Sequence, residues 1–195
     1  MDNLFWRRLH SLTGFMPLGG FLLFHLYENS YSAFGAAAYD AHVKGLRDVP
    51  GLLLLEITFI YIPLLYHALY GLYIWYTGKG NWLQYPYARK RLYTLQRITG
   101  AVGLVFVAYH IYDQRLRDTV AFANVHESIA RPLVLALYII GVAALSWHMW
   151  NGIWNALIKW GVTVGPRPQK LALYVCMGLG ICLVAWGIRA LMGFM

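Results

Sequence analysis

The sequence predicts an all-α membrane protein, in which five transmembrane helices form a single bundle over residues 1–195. Hydrophobic residues make up 59% of the chain and charged residues 12%, whereas soluble domains have about 45–50% and about 25%. Five apolar stretches each approach the roughly 20 residues that are needed to cross a bilayer. Four of the seven histidines lie deep inside these stretches, where an ionisable side chain is costly and usually functional.

The five predicted spans cover residues 11–29, 52–76, 93–115, 132–159 and 171–195. Backbone polar groups in lipid must be satisfied within their own segment, so each span is expected to be a helix. The first span has the lowest hydropathy and contains Pro17, which is tolerated inside a bundle. Because this segment lacks a small-residue cleavage site, we expect a retained span rather than a signal peptide.

Lysine and arginine are concentrated at the N-terminus, in the loop after the second span and in the loop after the fourth span. Asp2 is the only acidic residue in these segments, whereas the opposite loops mix both signs. The positive-inside rule therefore places the N-terminus in the cytoplasm and the C-terminus outside. The same distribution accounts for the net charge of +8, because these residues do not form the basic face that binds nucleic acid.

A weak internal repeat relates the first two spans to the next two. The second and fourth spans share His-x3-Gly, at His67 and His148. The first and third spans share Thr-Gly about ten residues before a histidine and an acid three residues after it, as Thr13, Gly14, His25 and Glu28 and as Thr99, Gly100, His110 and Asp113. The repeat predicts pseudo-two-fold packing of the two halves, with the fifth span at the periphery.

The depth of the four span histidines predicts how they pair. At about 1.5 Å per residue, His25 and His110 lie roughly 20–22 Å from the cytoplasmic end, and His67 and His148 roughly 13–16 Å. Imidazole is a common axial ligand of haem iron. We therefore expect two bis-histidine haems, one on the cytoplasmic pair and one on the outer pair. Small residues near these ligands either leave room for the porphyrin or aid helix packing, namely Gly71, Gly103, Gly141 and Gly152.

The chain resembles a known family in four segments, RRLHSLTG, PLLYHALYG, LQRITG and WGVTVGPR. The resemblance is to the cytochrome b subunits of two-haem succinate:menaquinone oxidoreductases and quinol:fumarate reductases. It covers nearly the whole chain and implies a five-helix anchor in the bacterial cytoplasmic membrane. It also implies two haem b groups on the same four histidines, with the pairing that depth predicts. The implied partners are a flavoprotein subunit, a three-cluster iron–sulfur subunit and menaquinone. Whether the complex forms a dimer is left open.

This resemblance implies that electrons pass between the iron–sulfur partner, the cytoplasmic haem, the outer haem and menaquinone. Quinone chemistry also moves protons, so a titratable group is expected near the outer haem. Glu56 is the first candidate, because it lies in an apolar run roughly 16 Å outward from His67. Glu28 and Asp113, one turn beyond the outer ligands, are the next. The alternative for all three is a boundary acid that is solvated at the headgroups.

Haem propionates need cations or hydrogen-bond donors, and the cytoplasmic rim offers Arg8, Ser11, Gln96, Arg97 and Lys159. Positive-inside topology alone is the alternative explanation for the cations. His10 lies at the same boundary, where it contacts either a propionate or the headgroups. His42 and His126 fall in loops on the outer side, where we expect them to be solvated.

Three other functions are weighed against this one. The first is a cytochrome b of the formate dehydrogenase or hydrogenase type, and the second is a histidine-based proton or metal transporter. The third is a structural anchor without haem. A bc-type cytochrome b is disfavoured, because it would carry two histidines on each of two helices, whereas each span here carries one. The direction of the reaction, succinate oxidation or fumarate reduction, is left open.

Overall fold

The computed structural model describes residues 4–78, 88–116 and 120–195. Within these ranges the chain is helical and contains no strand. Asp2, which was used to predict the orientation, lies outside them. The described helices are α1 (Leu4–Phe34), α2 (Ala36–Arg47), α3 (Leu52–Thr77), α4 (Ala88–Leu116), α5 (Phe122–Ile129), α6 (Pro132–Lys159) and α7 (Pro166–Met192).

Five of these helices, α1, α3, α4, α6 and α7, are long and apolar enough to cross a membrane. The predicted fold class, an all-α membrane protein with five spanning helices, is therefore confirmed. The first span begins earlier than predicted, at Leu4, and the third begins at Ala88. The two short helices α2 and α5 were not predicted. We call the side of the bundle where α1 begins the N-side, and the side where α7 ends the C-side.

Three of the spanning helices contain one π-helical turn each, at Gly14–Leu18 in α1, Ile57–Tyr61 in α3 and Tyr112–Leu116 in α4. Pro17 lies inside the first turn, and Pro63 follows the second. Proline lacks the N–H that would continue the α-helical ladder, so a wider turn accommodates it. The third turn begins at Tyr112, two residues after His110. Such turns re-aim the side chains that follow them and are frequent at functional sites.

Neighbouring spanning helices run antiparallel and approach closely at glycines. Along α4 and α6, Gln96 meets His148, while Gly103 meets Leu145 further along. A Cβ atom on Gly103 would lie 2.6 Å from the Leu145 side chain, so only glycine permits this spacing. Helix α7 packs against α6 and the second half of α1, where a Cβ on Gly187 would lie 2.6 Å from Val142. Small residues at helix crossings are typical of membrane bundles.

The C-side of the bundle is closed by α2, α5 and the C-terminus. Phe194 is 2% exposed and packs with the rings of Tyr39 and Phe122. The Ser32 hydroxyl donates to the Ala190 carbonyl at 2.8 Å, which ties the end of α1 to α7. Large apolar side chains along α3 remain exposed, as expected of a surface that faces lipid.

Candidate functional site

His67 on α3 and His148 on α6 form a pair on the N-side. Their ring centroids lie 6.1 Å apart and their planes are 87° apart. Nδ1 of His67 lies 3.0 Å from the His10 carbonyl oxygen, and Nδ1 of His148 lies 3.0 Å from the Gln96 carbonyl oxygen. A carbonyl oxygen only accepts, so each Nδ1 carries the proton and each Nε2 keeps its lone pair. Metal-ligating histidines are usually held in this way.

The Thr-Gly repeat builds this arrangement twice. The Thr13 hydroxyl donates to the His10 carbonyl at 3.0 Å, and the Thr99 hydroxyl donates to the Gln96 carbonyl at 3.3 Å. These are the same two carbonyls that accept from the histidines. Next to each threonine, a glycine leaves room for the imidazole: a Cβ on Gly100 would lie 2.8 Å from the His148 ring. The sequence showed the repeat but related it to histidines on the same helix, whereas it serves the pair on neighbouring helices.

Gly14 makes the equivalent approach to the His67 ring. The four glycines that were considered as neighbours of a porphyrin each approach another side chain. A Cβ on Gly152 would lie 3.2 Å from the Gln96 amide, and one on Gly71 would lie 3.4 Å from the His10 ring. Close helix packing accounts for these approaches, and a place beside a porphyrin stays a prediction.

His25 on α1 and His110 on α4 form a second pair, on the C-side, with ring centroids 5.6 Å apart and planes 78° apart. A side chain rather than a carbonyl holds His110, whose Nδ1 lies 3.2 Å from the Tyr138 hydroxyl. The Asn29 amide donates to the His25 carbonyl at 2.8 Å and lies 3.3–3.4 Å from both nitrogens of the His25 ring. Each imidazole also stacks on a phenylalanine four residues earlier, Phe21 in α1 and Phe106 in α4. This second repeat, Phe-x3-His, is also present in the sequence but was not predicted from it.

Both pairs have the spacing of two imidazoles that share one metal. Two metal–imidazole bonds of about 2 Å each, with the ring radii added, put the centroids roughly 6 Å apart. The observed distances are 6.1 and 5.6 Å. Among the described residues, no group of three or more His, Cys, Asp or Glu could hold a metal by itself. Two nitrogen donors suit haem iron, whose remaining ligands are supplied by the porphyrin.

The N-side rim carries buried polar atoms, one of them on a ring that contacts this pair. Nδ1 of His10 and Nε of Arg97 are buried, and neither makes a hydrogen bond within the part of the chain that is described. The His10 ring stacks on His67 at 4.0 Å. Lys159 lies close enough to His10 and Arg7 to interact with both electrostatically. Buried donors of this kind fit anionic groups such as propionates.

The other predicted rim residues are placed differently. The Arg8 guanidinium lies over the Trp160 ring, 5.6 Å from its centroid. The Ser11 hydroxyl donates to carbonyls of its own helix and lies 3.5 Å from the Trp160 indole nitrogen. The Gln96 amide donates to the His148 carbonyl at 2.9 Å and accepts from Asn151 at 2.8 Å. Gln96 is thus committed to positioning α6.

Each of the three candidate acids has a partner in the structure. Glu56, which was predicted as an acid in an apolar run near the outer haem, accepts a 2.6 Å hydrogen bond from Arg115. Asp113 is 2% exposed and accepts from Gln114 at 2.8 Å. It also lies 3.5 Å from the Tyr138 hydroxyl and 3.4 Å from Arg131. Glu28 is paired with His42 at 2.8 Å.

His42 and His126 were expected to be solvated. His126 is exposed as expected and His42 is partly buried, and each also bonds a protein group. His42 bonds Glu28, and Nδ1 of His126 donates to the Phe194 carbonyl at 2.6 Å. Both lie on the short helices α2 and α5, which fold back over the C-side. A sequence pattern that places these residues in loops gives no information about such contacts.

Comparisons with known proteins identify the family. Residues 90–187 match the family described as succinate dehydrogenase/fumarate reductase transmembrane subunit. The chain is 39% identical over 194 residues to the succinate dehydrogenase cytochrome b558 subunit of Bacillus subtilis (strain 168), covering 97% of this chain and 96% of that protein. It is 34% identical over 61 residues to the succinate dehydrogenase hydrophobic membrane anchor subunit of Archaeoglobus fulgidus, covering 30% of this chain and 52% of that protein. The predicted resemblance is thereby confirmed, and this five-helix, multi-pass membrane chain belongs to the succinate dehydrogenase/fumarate reductase transmembrane subunit family.

Proposed function

We propose that this chain is a two-haem cytochrome b that anchors a succinate dehydrogenase or fumarate reductase and exchanges electrons with menaquinone. The observation that carries the proposal is the presence of two imidazole pairs, on four helices, at centroid distances of 6.1 and 5.6 Å. A histidine-based transporter would need no such spacing. In the proposed function, the partners of this chain are a flavoprotein subunit and an iron–sulfur subunit of the same complex.

The four imidazoles would hold the iron of the two haems, His67 with His148 and His25 with His110. A bound haem b supplies one-electron transfer at each pair. The carbonyls of His10 and Gln96 fix the tautomer on the N-side, so that Nε2 is the ligating atom. On the C-side, Tyr138 has the same role for His110.

The proposed orientation puts the N-side in the cytoplasm of a bacterial cell, as the positive-inside rule predicts. The N-side pair then faces the iron–sulfur subunit, and the C-side pair lies near the outer surface. Arg8, Ser11, Arg97 and Lys159 remain the proposed propionate contacts. The unbonded buried atoms of Arg97 and His10 support this role most directly.

Menaquinone is proposed to react near the C-side pair, where the three acids lie. A quinone accepts protons at two oxygens, so more than one acid can take part. Glu56 is kept as a candidate for one of them, with the Arg115 guanidinium as a hydrogen-bond donor beside it. Glu28 is the candidate for the other. Asp113 is proposed to hold Tyr138 rather than to reach the quinone, because only 2% of it is exposed.

A redox titration of the purified complex, followed by its haem absorption, tests the proposal. We expect two haem b per copy of this chain with two separate midpoint potentials. The pyridine haemochrome assay gives the haem count independently of activity. A chain without haem absorption would support the transporter or the purely structural anchor. A single haem would contradict the two-pair assignment.

A further inference from the structure

A buried carboxyl group and a partly exposed imidazole form a hydrogen-bonded pair at the C-side of the bundle. Glu28 lies on α1, one turn after His25, and is 7% exposed. His42 comes from α2, which folds back over this end of α1. Its Nε2 lies 2.8 Å from Oε2 of Glu28. The pair thus joins the region beside a proposed ligand to the surface.

The imidazole is fixed in place and still reaches water. The His42 ring stacks on Tyr31 with a centroid distance of 3.7 Å and an angle of 8°, and Tyr27 approaches it edge-on. The His42 side chain is 22% exposed. Among the described residues, none bonds to its Nδ1. One ring nitrogen therefore faces the buried acid, while the other is left for the aqueous side.

Of the three candidate acids, Glu28 is the one that pairs with a histidine among the described residues. Glu56 is paired with Arg115, and a guanidinium does not release its proton in proteins. Asp113 is surrounded by Gln114, Arg131 and Tyr138. Histidine is the side chain whose ordinary pKa lies between pH 5 and 8. A carboxyl group and an imidazole in hydrogen-bond contact can pass a proton between them.

The other charged and titratable groups around His42 have fixed roles. Burial, and then Asp40 and Glu28, raise the pKa of Tyr39 to about 12, so this phenol stays protonated. Asp40 accepts from the Phe122 backbone nitrogen of α5 at 2.7 Å. Arg47 donates to the Val120 carbonyl at 2.8 Å. Lys44 also lies on α2, Tyr27 and Tyr31 bond each other on α1, and His126 of α5 is bonded to Phe194.

We propose that Glu28 and His42 form the proton relay between the outer water and the quinone beside the C-side pair. This inference rests on the proposed function. When the iron–sulfur partner supplies electrons, the proton on Nε2 of His42 moves to Oε2 of Glu28 and then to a quinone oxygen. Water at the outer surface reprotonates the imidazole and restores the hydrogen-bonded pair. Each cycle delivers one proton, and the same steps run in reverse when a quinol is oxidised.

The test uses the intact complex and compares His42→Gln with His126→Gln, a matched change at the other histidine of the C-side. Succinate-to-dye and succinate-to-menaquinone rates are measured side by side between about pH 5 and 8. We expect His42→Gln to keep both haems and the dye rate while its quinone turnover falls by about 10²-fold. Its remaining turnover should lose the pH dependence that the wild type shows in this range. His126→Gln should behave like the wild type.

A second variant separates proton transfer from folding. His42→Gly leaves space for a free imidazole, so imidazole in the buffer should restore quinone turnover. The relay is overturned if His42→Gln keeps wild-type turnover and pH dependence, or if imidazole fails to restore His42→Gly. Failure of the proposed function looks different: menaquinone turnover would then persist in His110→Ala after loss of the C-side haem. If His42→Gln leaves quinone turnover unchanged while His110→Ala abolishes it, the relay is excluded and the proposed function stands.

Discussion

At the scale of single residues, the two histidine pairs differ in what holds them. Backbone carbonyls hold Nδ1 of His67 and His148, whereas a phenol hydroxyl holds Nδ1 of His110. Side-chain substitution can therefore remove the hydrogen bond of a C-side ligand without touching the helix backbone. The same experiment is not available on the N-side, where the acceptor is part of the helix.

The pairing of the ligands is tested by single substitutions. His67→Ala and His148→Ala should each remove the same haem, about half of the total, because one ligand cannot hold a six-coordinate site. His25→Ala and His110→Ala should remove the other. Haem spectra and redox titrations of the four variants check this, with His126→Ala as the control that keeps both. If His67→Ala and His148→Ala lost different haems, the pairing would be wrong.

Tyr138→Phe tests how the C-side ligand is tuned. The hydrogen bond from Nδ1 to the hydroxyl makes the imidazole a more basic ligand, and a more basic ligand favours oxidised iron. Its loss should raise the midpoint potential of the C-side haem by roughly 40 mV, the one-electron equivalent of a hydrogen bond of about 1 kcal/mol. The N-side haem should not shift. Tyr109→Phe is the control, and an unchanged potential in Tyr138→Phe would exclude this role.

At the scale of the elements, the Thr-Gly pairs lie where α1 meets α3 and where α4 meets α6. In each pair, the threonine hydroxyl is a second donor to the carbonyl that accepts from a histidine. The glycine presents a surface without a side chain to the imidazole. The repeat in the sequence thus reflects a repeated helix–helix contact. The N-side pair depends on these contacts more than on the residues next to its own histidines.

Gly14→Ala and Gly100→Ala should weaken the N-side site. The added methyl group would overlap the His67 ring in the first variant and lie 2.8 Å from the His148 ring in the second. We expect both variants to lose or weaken the N-side haem while the C-side haem is kept, as measured by haem content and spectra. Gly20→Ala is the matched control on α1, because a Cβ there meets nothing within 4 Å. Normal N-side haem in both test variants would contradict the packing described.

At the scale of the whole molecule, the direction of the bundle decides which pair meets which partner. We expect the loop between α6 and α7 in the cytoplasm and α2 outside. With Cys176 and Cys182 replaced by alanine, Val164→Cys should react with a membrane-impermeant thiol reagent only after cell lysis. Ala37→Cys should react in intact cells. The reverse pattern would invert the bundle and exchange the roles of the two pairs.

The sequence by itself determined the five spans and the depths of the four histidines. Apolar length and the fixed rise of a helix require no knowledge of packing. The structure then brings His67 to His148 and His25 to His110, at the depths that predicted these pairs. The family was also readable from four short segments, and the comparisons confirm it.

Only the tertiary structure decided which side chains meet across helices. The rotation and crossing angle of each helix set these contacts, and a one-dimensional pattern does not encode either. The contact between Glu56 and Arg115 was therefore not predictable from the sequence. The same holds for the contact between His42 of α2 and Glu28. The short helices α2 and α5 were missed for a related reason. They are too short to cross the bilayer, and their positions depend on what they cover.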